Sequence, residues 1–288
     1  MNVPEMFHVK HWRVRAAARG AAGVLLLGAA LVACSSPEEI AAKSATATAE
    51  APPTLPAPPA PAPEKVTFED SAKNGEGTRD FAYSWPAEVS AIPELAARLT
   101  DDRDKLLAEQ KADWEESLRE FSDSDCTSCL NRDYAMGWDV VANLPRFLSL
   151  SGAWNAYSGG AHGNYAWEAL VWDREAERGF DPKAMFTSPA ALQDALGDAW
   201  CKALKVERVK KGMAPDEDDG IFPCPPIADL TVLVGSSDGK SFNRIGLIAA
   251  PYVAGSYAEG AYEVTLPVSP KVLAAVKPGY RAAFMLGK

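Results

Sequence analysis

The longest regular pattern in the chain is helical. From Ile92 to Phe121, Leu95, Leu99, Leu106, Leu107, Trp114, Leu118 and Phe121 recur at helical spacing. Pro93 suits a first helical turn and Glu94 suits its electropositive end. Charges of alternating sign fill the other face (Asp102, Arg103, Lys105, Glu109, Lys111, Glu115, Glu116), which reads as a solvated surface. A second helix is predicted over Ser188–Lys211. Its stripe is Leu192, Ala195, Leu196, Ala199, Trp200 and Leu204, and Ser188-Pro189 supplies the cap and first turn.

Between and after the helices the period drops to two. Tyr134, Met136, Trp138 and Val140 share one phase, as do Leu148, Leu150 and Trp154, then Tyr165, Trp167, Ala169 and Val171. The loops joining these runs are short, so antiparallel neighbours are expected. Tyr157 and Trp172 fall on the phase opposite the apparent core and are the expected exposed aromatics. Further strands are predicted at Val66–Phe68, Leu230–Val234, Phe242–Ala249, Tyr262–Leu266 and Tyr280–Leu286, with a short helix at Pro270–Val276. The run from Arg79 to Glu88 is broken by Pro86 and reads as an edge strand. The fold class that follows is α+β: antiparallel sheet packed against two main α-helices.

The N-terminal third changes this picture. Residues 1–33 read as a leader, with a basic region (Lys10, Arg13, Arg15, Arg19), an apolar run from Ala21 to Leu31, then Leu31-Val32-Ala33-Cys34. The small residue before a cysteine resembles a bacterial lipobox, which implies cleavage before Cys34 and acylation of its thiol. By resemblance to diderm lipoproteins, Ser35, a non-acidic residue after that cysteine, favours the outer membrane facing the periplasm. Residues 34–64 are expected to be a disordered Ala/Pro-rich linker, since seven of the thirteen residues from Ala51 to Pro63 are proline. The whole chain has 29 basic and 39 acidic residues. The leader takes four and one of these, leaving 25 and 38, a net charge of −13. Such a surface excludes nucleic acid as a partner and attracts cations.

Beyond Cys34, Cys126, Cys129, Cys201 and Cys224 form an even set, and an exported chain is expected to oxidise them. Three pairings exist, of which proximity favours Cys126–Cys129 and Cys201–Cys224. Cys126-Thr127-Ser128-Cys129 follows a helix end, whereas a redox pair usually sits at a helix N-terminus, so a structural disulfide is expected. No second such motif accompanies it to complete a zinc site.

Candidate chemistry centres on the small-residue loop Tyr157-Ser158-Gly159-Gly160-Ala161-His162-Gly163-Asn164. His162 is the one histidine outside the leader, so any Ser-His-Asp triad must use it. No GxSxG elbow accompanies it, and zinc hydrolases usually require more histidines. No metal and no cofactor is expected. The acidic run Asp216–Gly220 fails as an EF-hand, because Pro215 and Pro226 stand where ligands are needed. Tyr157, Gly159, Gly160, His162, Asn164 and Trp172 are the candidate ligand-binding residues.

Ser158–Asn164, followed by a strand, an acidic turn and Phe180-Asp181-Pro182-Lys183-Ala184-Met185-Phe186, resembles the RsiV/PdaC-type extracytoplasmic domain family (DUF4163/DUF3298-like). The later Phe242–Ile245 and Ala250-Pro251-Tyr252-Val253-Ala254-Gly255-Ser256-Tyr257-Ala258-Glu259-Gly260 are similar to that family's closing strand and Tyr-Ala-x-Gly segment. The resemblance implies an α+β fold with a DUF4163-like part at 65–130 and a DUF3298-like part at 131–288. It also implies a binding role, since RsiV-type ectodomains bind lysozyme. The expected function is a non-catalytic envelope lipoprotein, anchored in a membrane by lipid, that binds lysozyme or another protein, or peptidoglycan. The alternatives are a peptidoglycan-acting enzyme using His162 with Glu168 or Asp173, and a structural envelope component.

Overall fold

The computed structural model describes residues 62–213 and 222–288; the leader, Cys34, most of the linker and the run Asp216–Gly220 lie outside them. The first described element is a hairpin. β1 (Val66–Asn74) and β2 (Gly77–Trp85) pair in register from Val66↔Trp85 to Asn74↔Gly77. The two-residue loop Gly75-Glu76 closes it, with Gly75 at φ 59°. Pro86 ends β2 and opens α1 (Ala87–Ser90), after which α2 (Pro93–Glu120) runs for 28 residues.

The chain returns as β3 (Arg132–Asn143), β4 (Phe147–Tyr157), β5 (Asn164–Asp173) and β6 (Arg178–Phe180). These complete a six-stranded sheet in the order β1-β2-β3-β4-β5-β6. Every neighbouring pair is antiparallel except β2–β3, which is parallel (Arg79↔Arg132 to Ser84↔Gly137). β2 is therefore an interior strand and not the expected edge. Pro86 lies just beyond its last paired residue, so it removes no donor from the ladder. α2 supplies the long connection that a parallel pair requires.

α3 (Pro189–Lys210) starts where its cap predicts, with Ser188 Oγ accepting from Ala191 N at 3.0 Å. A second sheet follows, β7 (Thr231–Gly235), β8 (Arg244–Ala249) and β9 (Tyr262–Pro267), in the order β7-β8-β9. Then comes α4 (Pro270–Ala275). The expected last strand, Tyr280–Leu286, is a 3-10 turn over Pro278–Ala283 with one isolated bridge, Phe242↔Phe284. The turn that starts at Pro278 coils Tyr280–Ala283 before the chain can extend.

Two cores flank the large sheet. Phe81, Tyr83, Trp85, Met136, Trp138, Leu148, Leu150, Leu170 and Trp172 pack with Leu95 and Leu99 of α2. On the other side Phe147 and Val171 join Leu196, Trp200 and Leu204 of α3 with Val232, Ile245 and Leu247 of the small sheet. Both faces of β4 and β5 are thus covered at one end. This corrects the expectation for Trp172: it lies opposite Leu148 and is 4% exposed, because its phase faces α2.

Both proximity-favoured disulfides are present, Cys126–Cys129 and Cys201–Cys224, with Cα separations of 5.3 and 5.7 Å. They are compatible with an extracytoplasmic protein. Among the described residues no helix is long and apolar enough to cross a membrane.

Candidate functional site: an aromatic cluster built by two loops

The loop between β4 and β5 makes a bend that side chains would resist. Gly159 and Gly160 sit at φ 96° and 91°, where residues other than glycine are strained. Gly159 also lies against the disulfide turn: a Cβ there would stand 3.3 Å from the Ser128 carbonyl oxygen and 3.4 Å from Cys129 Cα. Tyr157 closes the bend by donating from its hydroxyl to the Gly160 carbonyl at 2.9 Å. Asn164, exposed, begins β5 opposite Ala156.

The second loop, 251–260, is held from α3. Arg208 donates to the carbonyls of Phe222 and Ala254 at 2.7 and 2.8 Å. Lys211 donates to those of Glu259 and Ala261, both at 2.6 Å, with its Nζ 4.0 Å from the Tyr262 ring centre. Cys201–Cys224 ties α3 to the segment carrying Phe222. Ser256 and Glu259 form a capping box around the turn Tyr257–Glu259. Burial works to raise the Glu259 pKa, but hydrogen bonds from Tyr262 and Ser256 outweigh it and hold the carboxylate low. Tyr252 takes φ 70° and is 54% exposed.

The two loops meet at His162. Its ring stacks on Tyr257 with centres 3.8 Å apart and planes at 19°. Tyr257 lies 5.8 Å from Tyr252 and 6.0 Å from Tyr165, and Tyr165 meets Trp167 edge-on at 5.7 Å. Burial raises the Tyr165 pKa, against a hydrogen bond from the Ala261 backbone. The result is an aromatic cluster with hydroxyl and imidazole groups among its rings.

His162 has the partners of a positioned side chain. Its Nδ1 is 2.8 Å from the Gly163 carbonyl, so in the neutral ring Nδ1 carries the proton, and Nε2 faces the Tyr252 hydroxyl at 3.3 Å. Neither contact is a carboxylate, a serine or a cysteine. Of the acids named for an enzyme, Glu168 lies on the opposite phase of β5 from Tyr165 and Trp167. Asp173, at the strand's far end, is 1% exposed and bound by Arg146 at 3.0 and 2.7 Å. Among the described residues no three His, Cys, Asp or Glu gather as a metal site would need.

The loop residues Tyr157, Gly159, Gly160, His162 and Asn164 thus lie together, and the Cys126–Cys129 turn beneath them. Trp172 does not join them. Sequence reasoning missed Tyr165, Tyr252 and Tyr257 as site residues. The available signal was two tyrosines in a Gly/Pro-rich loop, in the same segment that carries the family resemblance.

No family model matches the chain, and no curated protein does. Solved structures do. A DUF3298 family protein from Pseudomonas aeruginosa PAO1 aligns over 78% of this chain and 97% of its own, at 16% identity and a TM-score of 0.50. A DUF3298 family member from Bacteroides fragilis NCTC 9343 aligns over 78% and 93%, at 14% identity and a TM-score of 0.47. The likeness to the Pseudomonas protein, with the resemblance of the 158–186 and 242–260 segments, identifies the fold of this chain as that of a DUF3298 family protein.

Proposed function

We propose that the chain is a non-catalytic envelope lipoprotein, tethered through Cys34, whose folded part binds a protein or cell-wall glycan ligand at the His162–Tyr257–Tyr252 cluster. The observation that carries this reading is the convergence of two loops about 90 residues apart into one aromatic surface, with Tyr252 held there at positive φ. Backbone strain of that kind concentrates at binding and active sites. Tyrosine rings present large contact area with a polar tip, which suits both protein and sugar ligands. Lysozyme, a cationic protein bound by RsiV-type ectodomains, is the first partner to test against an acidic chain.

The test is a titration of hen lysozyme, and separately of soluble peptidoglycan fragments, into the full chain and into Tyr257→Ala. The expected result is saturable binding of one of them that survives physiological salt and weakens at least tenfold in the variant. Binding seen only at low salt would be charge attraction alone. That outcome, or no binding of either ligand, would overturn the proposal.

A further inference from the structure

A cavity of about 320 Å³ opens between α2 and β5, lined by Arg98, Asp102, Lys105, Trp138, Glu168 and Leu170 among others. It sits at the small end of the range for ligand pockets. Glu168 projects into this region from the phase of β5 opposite Tyr165 and Trp167, so the cavity is separate from the aromatic cluster. We propose that it binds a primary ammonium group on a short alkyl stem, held between the carboxylates of Asp102 and Glu168 beside the indole of Trp138.

The first ground is how Asp102 is placed. Trp138 Nε1 donates to the Tyr83 hydroxyl at 3.0 Å, and that hydroxyl donates to Asp102 Oδ2 at 2.7 Å. Two core side chains therefore fix one carboxylate oxygen and leave the other for the cavity. The second ground is where the two bases of the lining reach, Arg98 to a backbone carbonyl and Lys105 toward solvent. Arg98 donates to the Gly179 carbonyl at 3.0 Å, and Lys105, 76% exposed, lies 3.9 Å from Glu109. The third is the field this leaves. Burial, and after it the charge of Asp102, raise the Glu168 pKa; burial, then Glu168 and Asp102, raise that of Tyr134. In both groups burial is the larger cause, and the neighbouring carboxylate charge adds to it.

A cation suits the pair Asp102 and Glu168, and the lining decides which kind. The described residues gather no three metal ligands. Trp138 and Leu170 instead offer an apolar wall to a hydrocarbon stem, and an indole attracts organic cations. Opposite Glu168 on β4 stands Gly152, where a Cβ would come within 3.0 Å of the Trp138 ring. Glycine there leaves room for the indole, and for the Met136 methyl, beside the carboxylate.

The experiment titrates the full chain with n-pentylamine, with Nα-acetyl-lysine amide and with n-pentanol, followed by tryptophan fluorescence and calorimetry. The expected result is saturable binding of at least one amine, none of the alcohol, and at least tenfold weaker amine binding in Glu168→Gln. The preferred amine tells a free small molecule from a lysine side chain. Asp102→Asn keeps an acceptor for Tyr83, so a parallel loss in that variant reports charge and not folding. Failure of both amines to saturate, equal binding of n-pentanol, or an unchanged Glu168→Gln would overturn the proposal. The aromatic cluster shares none of these residues, so lysozyme or glycan binding stands or falls separately.

Discussion

β5 carries two tryptophans, five residues apart, with opposite surroundings. Trp172 lies across from Leu148, faces α2 and is almost fully buried with Leu95 and Leu99. Trp167 lies across from Ala153 and faces the other way, half-buried beside Tyr165, with its indole Nε1 shielded from solvent and unpaired. The alternation of a strand assigns each ring to a side of the sheet. What lies over that side decides whether the ring becomes core or surface. Here α2 covers Leu170 and Trp172 on one side and leaves Glu168 exposed, while β7 covers only part of the other, reaching Trp167 through a hydrogen bond from Thr231 Oγ1 to its carbonyl at 2.7 Å.

The largest test of this contrast is truncation. Trp172→Ala should cost about 3–5 kcal/mol, the range for emptying a packed aromatic site. Trp167→Ala should cost less than half as much, since part of its ring already meets water. Urea unfolding measures both, and equal losses would end the distinction between the two sides. A smaller effect is expected from the strand's terminus, at Asp173. Hydrogen bonding to Arg146, joined by the backbone N–H groups of Glu175 and Ala176 and opposed by burial, holds its carboxyl below the usual carboxylate range. A depressed folded-state pKa contributes stability above the unfolded value of about 3.9, lost as pH falls through the folded value. Asp173→Asn should therefore be less stable at neutral pH and show a shallower acid limb, read from urea midpoints between pH 7 and pH 2. An acid limb unchanged from wild type would remove Asp173 from the account.

The smallest expected change in stability concerns Tyr252. Glycine accepts φ 70° without strain, so Tyr252→Gly should leave thermal stability unchanged or raise it by up to about 1 kcal/mol. Ligand binding at the aromatic cluster should nevertheless weaken. A stability loss above about 1 kcal/mol would place Tyr252 with the packed residues and not with the binding surface.

Much of the fold was legible because its signals are local. The stripes and first-turn residues of α2 and α3 set their starts to within a residue, and alternation located β3, β4 and β5. The α+β class followed. Pairing was harder. Nothing in Arg79–Trp85 says that its neighbour lies beyond a 28-residue helix, so β2 was expected at an edge and the parallel pair was missed. Trp172 was misassigned because its neighbours on the strand, Val171 and Asp173, are also buried; period two loses its meaning where both sides are sealed. Tyr280–Leu286 alternates like a strand, but Pro278-Gly279 starts a turn first. The candidate site was half legible. Glycines beside His162 marked the first loop, whereas Tyr252 and Tyr257 reach it across about 90 residues, a distance over which no periodicity speaks.

The parallel pairing of β2 with β3 has a consequence for how the chain comes to be folded. In chain order β1, β2 and α2 come first, and the inner edge of β2 then waits for a partner that begins at Arg132. Until that partner arrives, Phe81, Tyr83 and Trp85 can be shielded only by α2 folding back across the hairpin. Such an edge is a template for pairing with other chains, and pairings distant in sequence form slowly. Early docking of α2 is then a safeguard against aggregation of the partly folded chain, and the helix that makes the crossover also guards the interval it creates.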